Sequence, residues 1–294
     1  MDLKAEMKQR TAYIEGALDR AVPVQEEFPP VIFEAMRYSL MAGGKRLRPM
    51  MVLAACEAVG GRKEDALPFA CALEMIHTYS LIHDDLPVMD NDDYRRGRLT
   101  SHKVFGDNMA VLAGDGLLHH AMETMADACV KNPCRETTRA MQAIAHGAGV
   151  FGMLTGQVVD VYFEGKPLDR KTLDFIHLNK TAAMIRGALE AGAAAGGAPE
   201  ETIKKFGFAG EKIGVAFQII DDILDVTSTT EELGKPVHSD EKNQKTTFVT
   251  LYGIEKSKEI AKALSEEAMA VWREQGESCE FLLELTKYLT DRSF

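Results

Sequence analysis

Apolar residues recur with helical spacing along most of the chain, and sustained period-two alternation is absent. Ala, Leu, Met, Glu and Lys dominate, and all of them favour helices. Two stretches, 66–85 and 206–225, are apolar nearly all the way round, which predicts central helices enclosed by others. The pattern therefore predicts an all-α helical bundle, a single domain over residues 1–294 with a central active-site cavity between facing helices.

A further helix is predicted between Pro167 and Gly196. Asp169 has the side chain of a helix N-cap, and Gly196 marks a helix end. We therefore expect one continuous helix over 169–195.

Composition narrows the class of protein. The 294 residues are 46% hydrophobic and carry a net charge of −11, which argues against broad nucleic-acid binding and for a soluble protein. The charged N-terminus lacks a signal region, and no run of about 20 apolar residues would span a bilayer. The five cysteines are an odd number without metal-site spacing, as is typical of reduced cytoplasmic proteins.

Each of the two apolar stretches ends in a cluster of aspartates. The first cluster contains Asp84, Asp85 and Asp90, and the second contains Asp221, Asp222 and Asp225. A carboxylate on a buried helix loses several kcal/mol of hydration unless a partner replaces the water. Mg²⁺ ions bound to a phosphorylated substrate would supply positive charge for both clusters, and all six aspartates are predicted metal ligands.

Helix geometry gives these aspartates different directions. Asp221 and Asp225 are four residues apart, so they share a helix face with Cβ atoms roughly 5–6 Å apart. Asp222 lies about 100° round the helix and should support that face from behind or be directed partly elsewhere. Pro87 should end the first helix at about Asp85 and let Asp90 fold back beside Asp84. One such cluster alone is usually a solvated helix end, but two copies after apolar helices favour metal binding.

Basic residues adjoin both clusters and suggest an anionic ligand. A glycine-rich basic segment spans 43–49, and Arg95 and Arg96 follow the first cluster directly. Guanidinium groups match diphosphate oxygens, which favours Arg48 and Arg96 as ligands. His77 lies two helical turns before Asp84 on nearly the same stripe, where it could hydrogen-bond a phosphate.

Taken together, these motifs resemble the short-chain trans-isoprenyl diphosphate synthases, most closely the bacterial farnesyl diphosphate synthases. Matching segments run from Gly43 to Phe248 and cover about two thirds of the chain. The resemblance implies the isoprenoid synthase fold, a homodimer and about three Mg²⁺ ions that hold an allylic diphosphate between the two motifs. The implied reaction condenses isopentenyl diphosphate with dimethylallyl and geranyl diphosphate to give farnesyl diphosphate.

The resemblance also assigns roles to individual residues. By this resemblance, the predicted ligands of isopentenyl diphosphate are Lys45, Arg48, His77 and Arg96. The predicted ligands of the allylic diphosphate are Arg95, Lys180, Thr181, Gln218, Lys235 and Lys245. Two further residues are predicted to line the cavity wall, Gln157 and Asp160. The implied catalytic residues are Asp84, Asp85, Asp90, Arg95, Lys180, Asp221 and Lys235. His238 and Phe248 depart from the glycine and tyrosine common in the family.

Product length should depend on bulk just upstream of the first cluster, by the same resemblance. Tyr79 and Ser80 are the fifth and fourth residues before Asp84. An aromatic residue at the fifth position resembles enzymes that stop at fifteen carbons, although helical geometry puts Ser80 more nearly below Asp84. We therefore expect farnesyl diphosphate as the product.

Three alternatives stay open. The same enzyme class could make geranylgeranyl or geranyl diphosphate instead. A terpene cyclase shares the helical fold and the metal chemistry, but it needs no second diphosphate site such as Lys45, Arg48 and His77 would form. A non-catalytic synthase subunit is the third alternative, and such subunits can lose the aspartates that are intact here.

Overall fold

The computed structural model describes residues 1–25, 29–227 and 246–290. The predicted ligands Lys235 and Lys245, and the unusual His238, lie outside the described residues. Helices form almost all of the described chain, which confirms the all-α prediction; the single domain over 1–294 stays a prediction. In the described segments, no helix combines the length and the apolar character that crossing a membrane would require.

The helices are short at the edges of the molecule and long at its centre. The first seven α-helices are α1 (Leu3–Ala21), α2 (Pro30–Leu40), α3 (Leu47–Ala58), α4 (Lys63–Asp84), α5 (Ser101–Phe105), α6 (Asp107–Lys131) and α7 (Arg135–Ala148). The other α-helices are α8 (Met153–Tyr162), α9 (Arg170–Ile176), α10 (Ala183–Ala195), α11 (Glu200–Thr227), α12 (Phe248–Tyr252), α13 (Ile254–Gln275) and α14 (Glu280–Thr290). A 3₁₀ turn, Glu277–Cys279, precedes α14.

The two predicted central helices are α4 and α11, which extend a few residues beyond the apolar stretches in the sequence. Helix α4 packs against α3 and α6, and α11 packs against α10 and α13. Most side chains of α4 between Ala66 and Ile82 are buried. Because each helix is covered on several sides, its sequence has no polar face to expose.

Glu74 is the one formal charge in the apolar part of α4, and it has a buried partner. The side chains of Arg46 and Glu74 are 0% and 3% exposed, and Arg46 Nη1 lies 2.7 Å from Glu74 Oε1. Arg46 Nη2 also donates to the carbonyl of Leu40 at 2.7 Å. Arg46 therefore balances the buried charge of Glu74 in the interior. Arg48, two residues further on, contacts His77 instead.

Two local departures from regular α-helix were not expected from the sequence. The predicted helix over 169–195 is divided into α9, a π-helix at His177–Ala182, and α10. Its ends were predicted correctly: Asp169 accepts a hydrogen bond from the amide of Thr172, and the helix stops before Gly196. The second departure is a small antiparallel hairpin that pairs β1 (Tyr94–Arg95) with β2 (Arg98–Leu99).

Candidate active site

The turn after α4 brings the ends of the first aspartate cluster together, as Pro87 predicted. Helix α4 ends at Asp84, and Asp85 is its C-cap. The amide of Asp90 then donates to the carbonyl of Asp84 at 2.8 Å, and the amide of Asn91 donates to that of Leu86 at 3.1 Å. The chain therefore folds back on itself within six residues and places Asp90 beside Asp84.

Asp84 is a half-buried carboxylate with incomplete compensation. Its Oδ1 accepts a hydrogen bond of 2.8 Å from Nε2 of Gln157 on α8. Burial raises the pKa of Asp84 to about 6; Lys180 opposes that shift and Asp90 adds to it. The other side-chain atom of Gln157, Oε1, is buried without a hydrogen-bond partner. This corner of the site would therefore gain stability from an added cation and its bound water.

Asp85 has a different environment from Asp84. Both of its oxygens accept hydrogen bonds from Arg95, at 2.8 and 2.9 Å from Nε and 2.6 Å from Nη2. The hairpin holds Arg95 in that position, because Arg96 and Gly97 in its turn have positive φ angles of 53° and 73°, as a type I′ turn requires. A charged pair joined by several hydrogen bonds is a strong contact for Asp85.

The π-helix carries Lys180 and Thr181 towards the same region. Lys180 Nζ lies 2.5 Å from Oδ2 of Asp160 on α8. A Cβ atom on Gly156 would lie 2.2 Å from the backbone nitrogen of Lys180, so α8 and the π-helix can approach closely only because residue 156 is glycine. Such single π-turns often occur at functional sites.

A chain of hydrogen bonds links the π-helix to the second aspartate cluster. Thr181 Oγ1 donates to Gln218 Oε1 at 3.2 Å, and Gln218 Nε2 donates to Asp222 Oδ1 at 3.1 Å. The other oxygen of Asp222 accepts a hydrogen bond of 3.0 Å from the backbone amide of Phe248, at the start of α12. Asp222 is thus buried and held from two directions.

One cleft is lined by residues of both clusters. Its walls include Asp90 from the first cluster, Asp222 and Gln218 from the second, and Lys180 and Thr181 from the π-helix. Asp160 and His177 also line it. Asp90 of the first cluster and Asp222 of the second therefore face a common space, whereas the other four predicted metal ligands, Asp84, Asp85, Asp221 and Asp225, are not among the residues that line it.

His177 is a site residue that sequence reasoning missed. It is buried, and its ring stacks on Phe248 with centroids 5.2 Å apart. Burial lowers its pKa to about 4, and its Nδ1 has no hydrogen-bond partner. The one signal in the sequence is its position four residues before Thr181, which is weak because a lone histidine in a helix has many possible roles.

Three of the predicted isopentenyl diphosphate ligands form a cationic cluster. Arg48 Nη1 lies 3.3 Å from His77 Nε2; because arginine only donates, this ring nitrogen accepts and the histidine proton is on Nδ1. Burial, and then the charges of Arg48 and Arg96, hold the pKa of His77 well below its usual value. Gly44 leaves room for Arg96, since a Cβ there would lie 3.0 Å from its Cζ.

The cluster of Arg48, His77 and Arg96 suits an anion. Arg48 Nε is buried without a hydrogen-bond partner. Burial lowers the pKa of Arg48, and the carboxylates of Glu74 and Asp221 oppose that shift. Arg48 therefore interacts electrostatically with Asp221 of the second aspartate cluster. Lys45, the fourth predicted ligand, is exposed, with its Nζ 5.8 Å from the ring centroid of Tyr288 on α14. The structure brings Lys45 into a separate contact.

Tyr79 and Ser80 lie on α4 below the first cluster. The ring of Tyr79 is half-buried and meets that of His83 edge-on, with centroids 5.7 Å apart. His83 Nε2 is 3.1 Å from the carbonyl of Val111 on α6, so these rings lie at the contact between α4 and α6. Ser80 Oγ donates to the carbonyl of His77 at 2.9 Å.

The described residues do not contain a ready-made metal cage. Among them, no three carboxylate, imidazole or thiol groups converge on one point. Mg²⁺ commonly keeps several waters and bridges one or two carboxylates to substrate phosphates, and it does not need an all-protein cage. Asp84, the unpaired Gln157 oxygen and Asp90 at the cleft are therefore compatible with Mg²⁺ that arrives with a diphosphate.

The chain is similar in sequence to a known family of proteins. Residues 29–285 match the model of the polyprenyl synthetase family. The chain is 50% identical, over 87% of its length and 70% of the relative's, to the large subunit 1 of a heterodimeric chloroplastic geranylgeranyl pyrophosphate synthase from Arabidopsis thaliana. It is 47% identical to a chloroplastic geranylgeranyl pyrophosphate synthase from Catharanthus roseus, over 99% of this chain and 82% of the relative.

A solved structure shows the same fold. The geranyltransferase from Helicobacter pylori, complexed with magnesium and isoprenyl diphosphate, superposes with a TM-score of 0.84 at 33% identity, over 98% of this chain and 96% of that one. The two sequence relatives are plant enzymes named for a geranylgeranyl product. The narrower expectation of a bacterial farnesyl diphosphate synthase therefore does not follow from these relatives.

The raised pKa of Asp84 predicts how its replacement changes stability. Below pH 3.8, its usual pKa, Asp84 is protonated in both the folded and unfolded states, and above pH 6 it is ionised in both. The cost of the buried charge therefore destabilises the folded state increasingly as the pH rises from 3.8 to about 6, and it is fully present above pH 6. Asp84→Asn should raise the free energy of unfolding by about 2–3 kcal/mol at pH 7.5 and by no more than about 1 kcal/mol at pH 4.5.

Urea denaturation in the presence of a chelator measures both values. Asp127→Asn, at an exposed carboxylate on α6, is the control and should change stability by less than about 0.5 kcal/mol at either pH. An equal effect of Asp84→Asn at both pH values would show that burial of charge at Asp84 is not the cause.

Proposed function

The chain belongs to the polyprenyl synthetase family and is a prenyltransferase of that family, and we propose that it joins isopentenyl diphosphate to allylic diphosphates to make geranylgeranyl diphosphate. The observation that carries the proposal is the cleft that Asp90 and Asp222 both line, together with the cationic cluster of Arg48 and His77. An acidic cleft and a cationic cluster suit two diphosphates that are bound in different ways.

In this proposal the allylic diphosphate binds at the acidic cleft. Lys180 and Arg95, which both act on the charge of Asp84, provide positive charge there. When bound, Mg²⁺ neutralises diphosphate oxygens and makes diphosphate a better leaving group. Asp84, Asp90 and Asp221, with the remaining aspartates of the two motifs, are the residues that would hold it. The structure of the Helicobacter pylori geranyltransferase is complexed with magnesium and isoprenyl diphosphate, which supports the choice of Mg²⁺ as the metal.

Isopentenyl diphosphate binds, in the same proposal, at Arg48, His77 and Arg96. The allylic C–O bond breaks, and its electron pair leaves with diphosphate. The double bond of isopentenyl diphosphate attacks the resulting cation, and a proton is then lost to the released diphosphate. The apolar walls of α4 and α11 exclude water, which would otherwise quench the cation.

Names of relatives support the twenty-carbon product over the fifteen-carbon product that Tyr79 suggested. Tyr79 is held at the contact between α4 and α6 by His83, and it does not line the cleft that Asp90 and Asp222 share. Bulk at residue 79 alone therefore does not fix the product as farnesyl diphosphate.

We propose a homodimer as the assembly. Large apolar side chains on α6, on α8 and in the turn just before α8 are between 40% and 76% exposed, and such surfaces often mark interfaces. They are Val111, Leu112, Phe151, Leu154, Val158 and Tyr162. Light scattering should give twice the chain mass of 32.4 kDa. A monomeric mass would favour a requirement for a different subunit, as the name of the Arabidopsis thaliana relative indicates for that protein.

The cytoplasm remains the proposed location. All five cysteines fall within the described residues and are free, which fits a reducing compartment. Two relatives are named as chloroplastic, and a chloroplast interior would be an alternative of the same redox character.

A product assay tests the proposed activity. Purified protein incubated with Mg²⁺, isopentenyl diphosphate and dimethylallyl diphosphate should yield geranylgeranyl diphosphate, identified by chromatography of the dephosphorylated alcohol. Asp84→Ala and Asp221→Ala should each reduce turnover by roughly a thousandfold, because metal-assisted charge stabilisation supplies several kcal/mol. Excess EDTA should abolish it.

The control variant is Asp127→Ala, which should have near-normal rates because Asp127 is exposed on α6. Near-normal turnover in Asp84→Ala or Asp221→Ala would contradict the proposal. A hydrocarbon formed without isopentenyl diphosphate would indicate a terpene cyclase, and an inactive homodimer would indicate a non-catalytic subunit.

Bulk at Tyr79 does not decide between the two products, but we expect it to set an upper limit on product length. Tyr79→Ala removes a ring at the contact between α4 and α6, so products longer than those of the wild type should appear in the same assay. Tyr13→Ala, at a half-buried tyrosine on α1, is the matched control and should leave the product distribution unchanged. An unaltered product length in Tyr79→Ala would show that another wall sets the limit.

A further inference from the structure

The small hairpin after the first aspartate cluster carries two predicted diphosphate ligands on adjacent residues. Arg95 ends β1, and Arg96 begins the turn. The side chain of Arg95 pairs with Asp85, and that of Arg96 donates to the carbonyl of Gly43. A two-stranded hairpin is at best marginally stable by itself, so contacts with the rest of the protein must hold these guanidinium groups in place.

The second strand of the hairpin has a carbonyl group that points away from the first strand. Arg95 and Arg98 flank a two-residue turn, which makes them a hydrogen-bonded pair. Because pairs alternate along an antiparallel ladder, Tyr94 and Leu99 are a non-hydrogen-bonded pair. The carbonyl of Leu99 is therefore open to another partner, and it accepts a hydrogen bond of 2.8 Å from the hydroxyl group of Tyr38 on α2.

The ring of Tyr38 makes further contacts in the same place. The guanidinium carbon of Arg98 lies 4.4 Å from the ring centroid, which is a cation–π geometry. The ring of Phe105 on α5 meets the Tyr38 ring edge-on, with centroids 5.4 Å apart. Tyr38 therefore binds both the backbone and a side chain of β2, and Phe105 fixes the orientation of the tyrosine ring.

Packing beside the hairpin is incomplete. A cavity of about 30 Å³ is lined by the hairpin together with α2, α4 and α5, and its walls include Tyr38, Ile82, Leu99 and Ser101. Ser101 is buried, and its hydroxyl group has no hydrogen-bond partner among the described residues. Close packing would resist a shift of the hairpin, but a cavity leaves room for one. The position of the hairpin therefore depends on a few specific contacts, such as those of Tyr38.

We propose that Tyr38 is a positioning residue that sets both predicted diphosphate sites, because it holds the hairpin that carries Arg95 to Asp85 and Arg96 to the cationic cluster. This inference rests on the proposed function for the identity of the two diphosphates. Loss of the Tyr38 contacts releases the hairpin, so the affinities for isopentenyl diphosphate and for the allylic diphosphate should fall together.

Calorimetric titration of isopentenyl diphosphate tests the effect on the Arg96 site without turnover. Tyr38→Phe keeps the ring and loses the hydroxyl group, and it should raise Kd roughly threefold, because a neutral hydrogen bond has a modest net value. Tyr38→Ala loses the ring contacts as well and should raise Kd roughly tenfold. An unchanged Kd in Tyr38→Ala would overturn the proposal.

Tyr13→Ala is the matched control for this titration. Tyr13 is also a half-buried tyrosine next to a cation, since Lys63 Nζ lies 4.6 Å from its ring centroid, but it lies on α1. This variant should leave Kd within about twofold of the wild type. A rise as large as that of Tyr38→Ala would show that general loss of packing is the cause.

Steady-state kinetics extend the test to the allylic site. Tyr38→Ala should raise KM for dimethylallyl diphosphate roughly tenfold, whereas kcat should stay within about threefold, because bound diphosphate draws the guanidinium groups back. Combining Tyr38→Ala with Arg95→Gln should raise this KM no further than Arg95→Gln alone, and the same should hold for Arg96→Gln and the Kd of isopentenyl diphosphate. Fully additive losses, or an effect on one substrate only, would contradict the proposal.

Hydrogen exchange of the Thr100 amide reports the hairpin directly and does not depend on the reaction. This amide donates to the carbonyl of Asp93 at 3.0 Å, where the two ends of the hairpin meet. Tyr38→Ala should speed its exchange while the amides of α4 stay protected, and unchanged exchange would contradict the role of Tyr38. If Tyr38→Ala does not fold, Tyr38→Phe decides by the same measurements. Product formation by the wild type decides the proposed function separately.

Discussion

Negative charge held at the ends of apolar helices is the constraint on which the site depends. Asp84 and Asp85 end α4, and Asp222 and Asp225 lie near the end of α11, all with restricted access to water. Each buried carboxylate needs a replacement for its hydration. Among the described residues, Asp85 is paired with Arg95 and Asp222 accepts two hydrogen bonds, whereas burial keeps the pKa of Asp84 raised. A bound cation would offset the remaining cost at Asp84.

In the proposed reaction, the site would bind two anions by different means. The cluster of Arg48, His77 and Arg96 can bind a diphosphate directly, since its guanidinium groups are fixed donors and the neutral imidazole adds no competing negative charge. The cleft that Asp90 and Asp222 line also contains Asp160 and Glu164, so in the proposed reaction cations would accompany a diphosphate there. Under that proposal, the cleft would take the allylic partner that loses its diphosphate, and the cationic cluster would take the partner that keeps it.

Irregular backbone produces much of this arrangement. The turn at Pro87 returns Asp90 to Asp84, and the hairpin turn at Arg96 and Gly97 directs Arg95 to Asp85. The π-helix widens the helical path at His177–Ala182 and carries Lys180 to the cleft. Long regular helices provide the rigid frame, and short departures from it set the direction of the reactive side chains.

The sequence by itself determined the all-α fold, the two central helices, the turn at Pro87 and the aspartate clusters at the ends of those helices. These follow from local rules: helical periodicity, the restricted φ of proline, and the cost of burying unpaired aspartates. Only the tertiary structure decided that Arg46 pairs with Glu74 inside while Arg48 faces the site, and that a π-helix interrupts a sequence with ordinary helical spacing. Neighbouring residues of similar chemistry, such as Arg46 and Arg48, differ in the side chains that other helices bring into contact with them. Those partners are distant in sequence, so no local pattern predicts them.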